Sequence, residues 1–131
     1  RAVRARTFEI QRSEIIMEEQ ASQVTIDFAK QLIELSRVIV DIFKTSDLDK
    51  LPSMNRIIKE MYRLQHGSED VAMQTIDVEA NVIYSNFDML VQVLKTAESD
   101  SDLPSLQNAV NKFLHNINEA TVNIAAMFGL L

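Results

Sequence analysis

Two histidines and the carboxylates near them come closest, in this sequence, to a catalytic or metal-binding pattern. His115 and Glu119 lie four residues apart, so both would share one face of a helix and could contact one metal ion. Helical metal sites need several inward-facing carboxylates together with histidines, whereas the inward positions of this segment are apolar. We therefore interpret the two residues as a solvated surface pair and expect no bound metal.

The other histidine and an acidic loop give equally weak signals. His66 precedes Gly67, where a cation suits the carboxyl end of a helix, and we interpret it as structural. A phosphotransfer histidine on an exposed helix face is the alternative. The stretch 99–102 alternates hydroxyls and carboxylates but lacks the glycine turn and distal glutamate of an EF-hand. A solvated capping loop is predicted there instead of a calcium site.

Enzyme signatures are missing from the sequence. It has no glycine-rich phosphate loop, no Ser/His/Asp order and no nucleophile elbow, and it contains no cysteine. We expect a non-enzymatic protein without cofactors. The formal net charge of −6 repels phosphate backbones, so no nucleic acid is expected as a partner. The compartment stays open, with the cytoplasm slightly favoured, and no apolar run approaches the ~20 residues of a membrane span.

Positive charge gathers at the beginning of the sequence. Arg1, Arg4, Arg6 and Arg12 fall within the first twelve residues. We interpret this cluster as the solvated start of a helix. Contact with an acidic lipid or partner surface is the alternative.

The composition predicts an all-α protein. The chain has 131 residues, 47% of them apolar, and only two glycines and two prolines to interrupt long helices. We predict a single domain over residues 1–131, folded as an antiparallel up-down four-helix bundle with a long first helix.

The first predicted helix runs from about Thr7 to Thr45, with a kink, register change or projecting arm near 20–23. Its second half carries two neighbouring apolar rows, which predict contact with two other helices at once. The first row is Phe28, Leu32, Leu35, Ile39 and Ile42; the second is Ile26, Ile33, Val40 and Phe43.

The remaining helices follow from apolar spacing and breakers. The second helix is predicted from about Pro52 to Gln65, and Gly67 with Ser68 as N-cap predicts a break before the third helix. Uninterrupted helix through Gly67 is the alternative. The third and fourth helices each carry an apolar row with alternating spacings of three and four residues. These rows are Met73, Ile76, Ala80, Ile83, Phe87, Leu90, Leu94 and Ala97, and Leu103, Leu106, Val110, Phe113, Ile117, Ala120, Ile124, Met127 and Leu131. A neighbouring row of Leu114, Thr121 and Phe128 is predicted to widen the second of them into the broader apolar stripe of a bundle helix.

The sequence also repeats a pattern. VIVDIFKT and MLVQVLKT are each followed by an acidic stretch and then by Leu-Pro-Ser, at 51–53 and 103–105. This similarity predicts duplicated helical hairpins over 17–66 and 68–128. Convergent capping chemistry is the alternative, since lysine, threonine and proline suit helix ends and starts.

We expect an interaction or scaffold module that binds a partner helix or self-associates through an apolar groove near the first two helices. A four-helix-bundle sensory domain of a bacterial receptor is the first alternative. The segments RAVRARTFEIQRSE and DLDKLPSMNRIIKEM resemble helices of ESCRT-III proteins, and this resemblance implies a membrane-remodelling filament subunit as the second alternative. Seven apolar residues form the predicted partner interface: Phe8, Ile15, Ile16, Met17, Met54, Ile57 and Met61.

Overall fold

The chain is all-helical in the computed structural model, which describes residues 22–97 and 103–131 and contains no strand in those ranges. A 3-10 turn, Leu48–Lys50, leads directly into the second helix. Within these two ranges, five α-helices follow one another: α1 Gln23–Thr45, α2 Leu51–His66, α3 Val71–Thr75, α4 Asp77–Ala97 and α5 Leu103–Met127. The all-α class predicted from the sequence is confirmed.

The beginning of α1 lies within the segment 20–23, where a kink, register change or projecting arm is predicted in the helix from Thr7 to Thr45. Ser22 has extended backbone angles, φ −73° and ψ 166°, so the helix begins at Gln23 and does not continue through Ser22. The Ser22 hydroxyl accepts a hydrogen bond from the Thr25 amide at 3.3 Å, which satisfies one of the amides that a helix start leaves free. Residues 1–21 lie outside the described range.

The connection between α1 and α2 is short. Ser46 ends α1 in the left-handed conformation, with φ 57°, and its amide donates to the Ile42 carbonyl at 2.7 Å. The Asp47 carboxylate accepts from the Asp49 amide at 2.9 Å and caps the 3-10 turn. Pro52 then occupies the first turn of α2, where its missing N–H costs nothing.

The predicted break at Gly67 is confirmed, although its capping differs. Gly67 ends α2 with φ −94°, so its conformation does not require glycine. Asp70, and not Ser68, is the N-cap residue of α3. The Ser68 hydroxyl accepts from the Asp70 amide at 3.0 Å and shapes the turn.

The third predicted helix is interrupted once. Ile76, with φ −94° and ψ 9°, separates the one-turn α3 from α4. The apolar row still faces one core, because Met73, Ile76 and Ala80 are all buried on both sides of the interruption. The fully buried large side chains come from all five helices and Ile76: Phe28, Leu32, Leu35, Ile39, Met54, Met61, Met73, Ile76, Ile83, Leu90, Leu114 and Ile117.

Contacts between named residues give the directions of α1 and α5. Phe28, near the start of α1, meets Phe128 just after the end of α5, with ring centroids 6.1 Å apart in an edge-to-face arrangement. Phe43, near the end of α1, stacks on His115 at the middle of α5, with centroids 4.7 Å apart. The two helices therefore run in opposite directions.

Two polar pairs join α4 to α5. The Asn116 amide donates to the Asn86 side-chain oxygen at 3.0 Å, and Asn86 is itself buried. The Asn123 amide donates to a Glu79 carboxylate oxygen at 3.2 Å. Because Glu79 precedes Asn86 by seven residues and Asn123 follows Asn116 by seven, these helices are also antiparallel.

The end of α5 departs from the predicted apolar row. Met127 and Leu131 are 49% and 63% exposed, whereas Leu114, Thr121 and Phe128 are buried. Gly129, with φ 75°, ends the helix, and the Leu130 amide reaches back to the Ala125 carbonyl at 2.8 Å. This is a Schellman ending, which needs a residue in the left-handed conformation.

Across residues 22–97 and 103–131, none of the helices has both the length and the apolar character that crossing a bilayer would take.

Candidate functional site

An exposed apolar row runs along the outer side of α1. Ile33, Val40 and Phe43 are 39%, 44% and 36% exposed, and Ile26 is half-buried. The sequence predicts that this row contacts a second helix; the exposure of Ile33 and Val40 contradicts that prediction for these two side chains, whereas Phe43 does contact α5 through His115. The neighbouring row, from Phe28 to Ile42, is buried as predicted.

The adjacent side of α5 extends this surface. His115 stacks on Phe43, and Val122, one heptad after His115 on the same side of α5, is 43% exposed. We call the surface formed by Ile33, Val40, Phe43, His115 and Val122 the α1/α5 face. Its two walls are antiparallel helices, a geometry that can accept a third helix lying along them.

A small, mostly apolar cavity lies where the end of α1 meets the first part of α5. It has a volume of about 210 Å³ and lies between Ile42 and Leu48 on one side and Leu106 and Val110 on the other. Asn111, four residues before His115, lines its rim. Engineered apolar cavities of about 150 Å³ hold benzene, so this one has room for a single large aliphatic side chain.

A basic row lies beside the apolar row on α1, and an acidic row follows it around the helix. Lys30, Arg37 and Lys44 each follow a member of the Ile26, Ile33 and Val40 row by four residues, which places them beside it on the helix surface. A row of carboxylates lies beyond the basic row and comprises Asp27, Glu34 and Asp41. The exposed side of α1 therefore presents an apolar, a basic and an acidic row in that order.

A second cluster, around Gln65, is polar and mostly satisfied internally. Gln65 is 5% exposed; its amide donates to the Asp77 carboxylate at 2.9 Å, and its carbonyl accepts from the Tyr84 hydroxyl at 2.6 Å. A cavity of about 270 Å³ lies beside it, lined also by His66 and Gln74. Because both ends of the Gln65 amide are paired, we interpret this cluster as a link between α2 and α4.

Aromatic rings surround the same link. Tyr62 lies against His66 with ring centroids 4.0 Å apart, and meets Tyr84 edge-on at 5.1 Å. Burial, and then the nearby Asp77 carboxylate, raises the pKa of Tyr84 above its ordinary value, so this phenol stays protonated as a hydrogen-bond donor.

A carboxylate ties the beginning of α1 to the turn before α3. The Asp70 side chain accepts hydrogen bonds from the Ser22 hydroxyl and, at 2.7 Å, from the Thr25 hydroxyl. These bonds, that from Ser22 first and that from Thr25 second, lower the pKa of Asp70 below its ordinary value. The ionised form is thus the one that the fold favours.

We expect Asp70→Asn to remove a pH dependence of stability. A carboxylate whose folded pKa is depressed stabilises the fold above its unfolded pKa of about 3.9, and the stabilisation is lost as pH falls through the folded pKa. The melting temperature of Asp70→Asn should therefore fall below that of the parent at pH 7 and converge with it at pH 2. Glu69→Gln, at an exposed neighbour, is the control and should follow the parent; equal melting temperatures for Asp70→Asn at pH 7 would contradict the assignment.

The predicted interface residues fall in different places. Met54 and Met61 are fully buried in the core and Ile57 is half-buried, so the two methionines offer no exposed surface to a partner in this structure. The other four, Phe8, Ile15, Ile16 and Met17, lie outside the described residues, and their role stays a prediction. The α1/α5 face was not predicted as a site, although the heptad spacing of its apolar and basic rows was present in the sequence.

The residues considered first for chemistry are spread over the surface. His115 and Glu119 are both exposed, and His115 contacts Phe43 instead of a carboxylate. Among residues 22–97 and 103–131, no group of three or more histidine, cysteine, aspartate or glutamate side chains could hold a metal ion.

Comparisons with protein-family models, with curated proteins and with solved structures found no match for this chain.

Proposed function

We propose that this protein is a non-enzymatic interaction module that binds an amphipathic helix of a partner protein along the α1/α5 face. The observation that carries the proposal is the exposure of Ile33, Val40 and Phe43 in one continuous row. Side chains seven residues apart lie along one line of a helix, and helix-in-groove recognition uses anchors with this spacing.

The dimensions of the face suit a helix of moderate length. Ile26 and Val40 are separated by fourteen residues, which corresponds to about 21 Å along α1. Covering the exposed part of each aliphatic side chain would contribute about 1 kcal/mol, because complete burial of such a side chain is worth about 1.5–3 kcal/mol. An aliphatic side chain in the cavity beside Leu106 would add a buried anchor of the kind that dominates many interfaces.

The architecture that we propose for the whole chain is an antiparallel up-down four-helix bundle, with α3 and α4 counted as one interrupted helix. The antiparallel directions of α1 with α5, and of α4 with α5, support it. We also propose that the two hairpins arose by duplication, which the repeated Leu-Pro-Ser at α2 and α5 supports.

Binding of a synthetic helix to the α1/α5 face tests the proposed function. The probe is a fluorescein-labelled 21-residue peptide with leucines at heptad a and d positions and glutamine elsewhere. We expect saturable binding to the full chain by fluorescence anisotropy, and at least tenfold weaker binding to Ile33→Ser/Val40→Ser, because the variant removes the apolar anchors. Both positions are more than a third exposed, so the variant should keep the parent's helical content.

Two exposed valines supply the matched control. Val71 and Val78 are 73% and 75% exposed and lie on α3 and α4. Val71→Ser/Val78→Ser removes a comparable apolar surface and should bind the peptide as the parent does. Equal weakening by both double variants would mean that the peptide binds apolar surface non-specifically, and no binding to the parent would overturn the proposed function.

A further inference from the structure

We infer that the helix bound by the α1/α5 face carries carboxylates beside its own apolar row. This inference rests on the proposed function and adds the charge of the partner. It depends on the basic row of Lys30, Arg37 and Lys44, which runs parallel to the exposed apolar row along the same length of α1.

The basic row is only partly neutralised within the described part of the chain. Arg37 forms an ion pair with Glu34, with Nη1 and Oε2 2.6 Å apart, and both side chains are more than half exposed. Lys30 and Lys44 form no ion pair or hydrogen bond with residues 22–97 and 103–131. Two of the three cations that border the apolar row are therefore available to an incoming carboxylate.

The neighbouring acidic row is engaged elsewhere. Asp27 accepts a hydrogen bond from the Gln23 amide at 2.9 Å, and Asp41 lies 3.9 Å from the Lys50 ammonium. Neither carboxylate forms an ion pair with Lys30 or Lys44. A flat anionic bilayer would meet the acidic row together with the basic row, whereas a helix lying along the apolar row can place its carboxylates beside the basic row alone. The rows therefore favour a protein helix over a lipid surface.

The charged rows of α1 suit a second copy of the chain less well than they suit an acidic helix of another protein. In an isologous antiparallel pair of α1 helices, each row on one side of the contact meets the same row of the other copy. Lys30, Arg37 and Lys44 would then face one another, and like charges at close range disfavour the contact. An acidic row on a different helix meets no such repulsion.

Three versions of one labelled 21-residue peptide test the inference by fluorescence anisotropy. Leucines occupy the a and d positions in all three, and the flanking e and g positions carry glutamate, glutamine or lysine. We expect the glutamate peptide to bind the full chain about tenfold more tightly than the glutamine peptide, since exposed ion pairs contribute modestly and the two available cations, Lys30 and Lys44, can each form one. The lysine peptide should bind more weakly than both, and the differences should shrink as salt rises.

Charge reversal on α1 supplies the decisive variant. Lys30→Glu/Arg37→Glu/Lys44→Glu should invert the order of the glutamate and lysine peptides and leave the glutamine peptide nearly unchanged. Arg56→Glu/Lys59→Glu/Arg63→Glu makes the same change of net charge on α2 and should keep the parent's order. These six side chains are exposed, so neither variant should disturb the core.

The outcomes separate the inference from the proposed function. Equal affinity of the three peptides for the parent overturns the inference and leaves the proposed function standing, whereas failure of all three overturns both. If the α2 variant also inverts the order of the glutamate and lysine peptides, then the net charge of the protein, and not the basic row of α1, determines which peptide binds more tightly. Two further outcomes would overturn the inference. Dimers of the parent in analytical ultracentrifugation, if the α1 variant abolishes them, would assign the face to a second copy of the chain. Binding of the parent to phosphatidylserine vesicles, if the α1 variant abolishes it, would assign the face to a membrane.

Discussion

Phe28→Ala is expected to lower the free energy of unfolding by about 3–5 kcal/mol, as truncation of a buried phenylalanine commonly does. Phe28 is fully buried, and its ring meets Phe128 edge-to-face. The substitution would leave a cavity between the start of α1 and the end of α5. Chemical denaturation followed by circular dichroism measures the loss.

Phe43→Ala is the matched control for this prediction. Phe43 lies on the same helix but is 36% exposed and contacts His115 at the surface. Its truncation should cost about 1 kcal/mol or less. If Phe28→Ala does not fold, Phe28→Leu, with an expected cost of about 1–1.5 kcal/mol, gives the same comparison. Equal losses for the Phe28 and Phe43 variants would contradict the packing described here.

Gln65→Leu is expected to lower the free energy of unfolding by about 2 kcal/mol, because the Tyr84 hydroxyl and the Asp77 carboxylate both lose the buried amide to which they bond. The leucine would fit a similar space but would leave the Tyr84 hydroxyl without its acceptor and remove the bond to Asp77. The change should weaken the link between α2 and α4, and urea denaturation measures it.

A double-mutant cycle separates the hydrogen bond from the packing. Tyr84→Phe should cost about 1 kcal/mol alone, and Gln65→Leu/Tyr84→Phe should cost less than the sum of the single variants by about 1 kcal/mol. Strict additivity would show that the 2.6 Å contact between the Tyr84 hydroxyl and Gln65 contributes nothing measurable. Ser85→Ala, at an exposed neighbour of Tyr84, should have little effect.

Apolar spacing predicted most of the core correctly. The row from Phe28 to Ile42 is buried throughout, and Met73, Ile83 and Leu90 lie in the core as expected. Burial of these side chains depends mainly on local periodicity, which the sequence displays directly. The end of α1 at Thr45 and the break after α2 also carry local signals, namely Lys-Thr and Gly67.

The end of α5 shows how a heptad pattern misleads in a helix of 3.6 residues per turn. A strict repeat of seven drifts by about 20° in each heptad unless the helices supercoil. From Val110 onward this drift turns Met127 out to solvent and brings Phe128 into the core. The sequence contained both candidate rows, and only the path of the helix decides between them.

Helix starts depend on long-range contacts as well as on local ones. The predicted kink, register change or projecting arm near 20–23 coincides with Ser22, whose local cap on Thr25 the sequence could indicate. The Ser22 hydroxyl also bonds Asp70, forty-eight residues further along the chain, which no local pattern indicates. The interruption at Ile76 has no glycine or proline to announce it. Ile76 and Met73 are both buried, so the apolar row continues across the interruption.

The candidate site was missed for a related reason. The sequence displayed two apolar rows on α1 but not how many neighbours would cover them, so Ile33 and Val40 were assigned to an additional helix contact. Exposure of that row depends on where α2 and α5 lie around α1, which periodicity does not specify. The basic row of Lys30, Arg37 and Lys44 was a local signal that could have marked the surface as solvent-facing.

The two polar pairs between α4 and α5 determine how these two helices are aligned along their axes. Apolar rows with heptad spacing interlock almost equally well when one helix is shifted by seven residues. Such a shift of α5 would place Asn86 opposite either Asn123 or Ala109. It would break both pairs, Asn86–Asn116 and Glu79–Asn123, and would allow only one new polar pair in their place. These hydrogen bonds therefore select one register of α4 against α5 among several that the apolar contacts alone would accept, although they add little to stability.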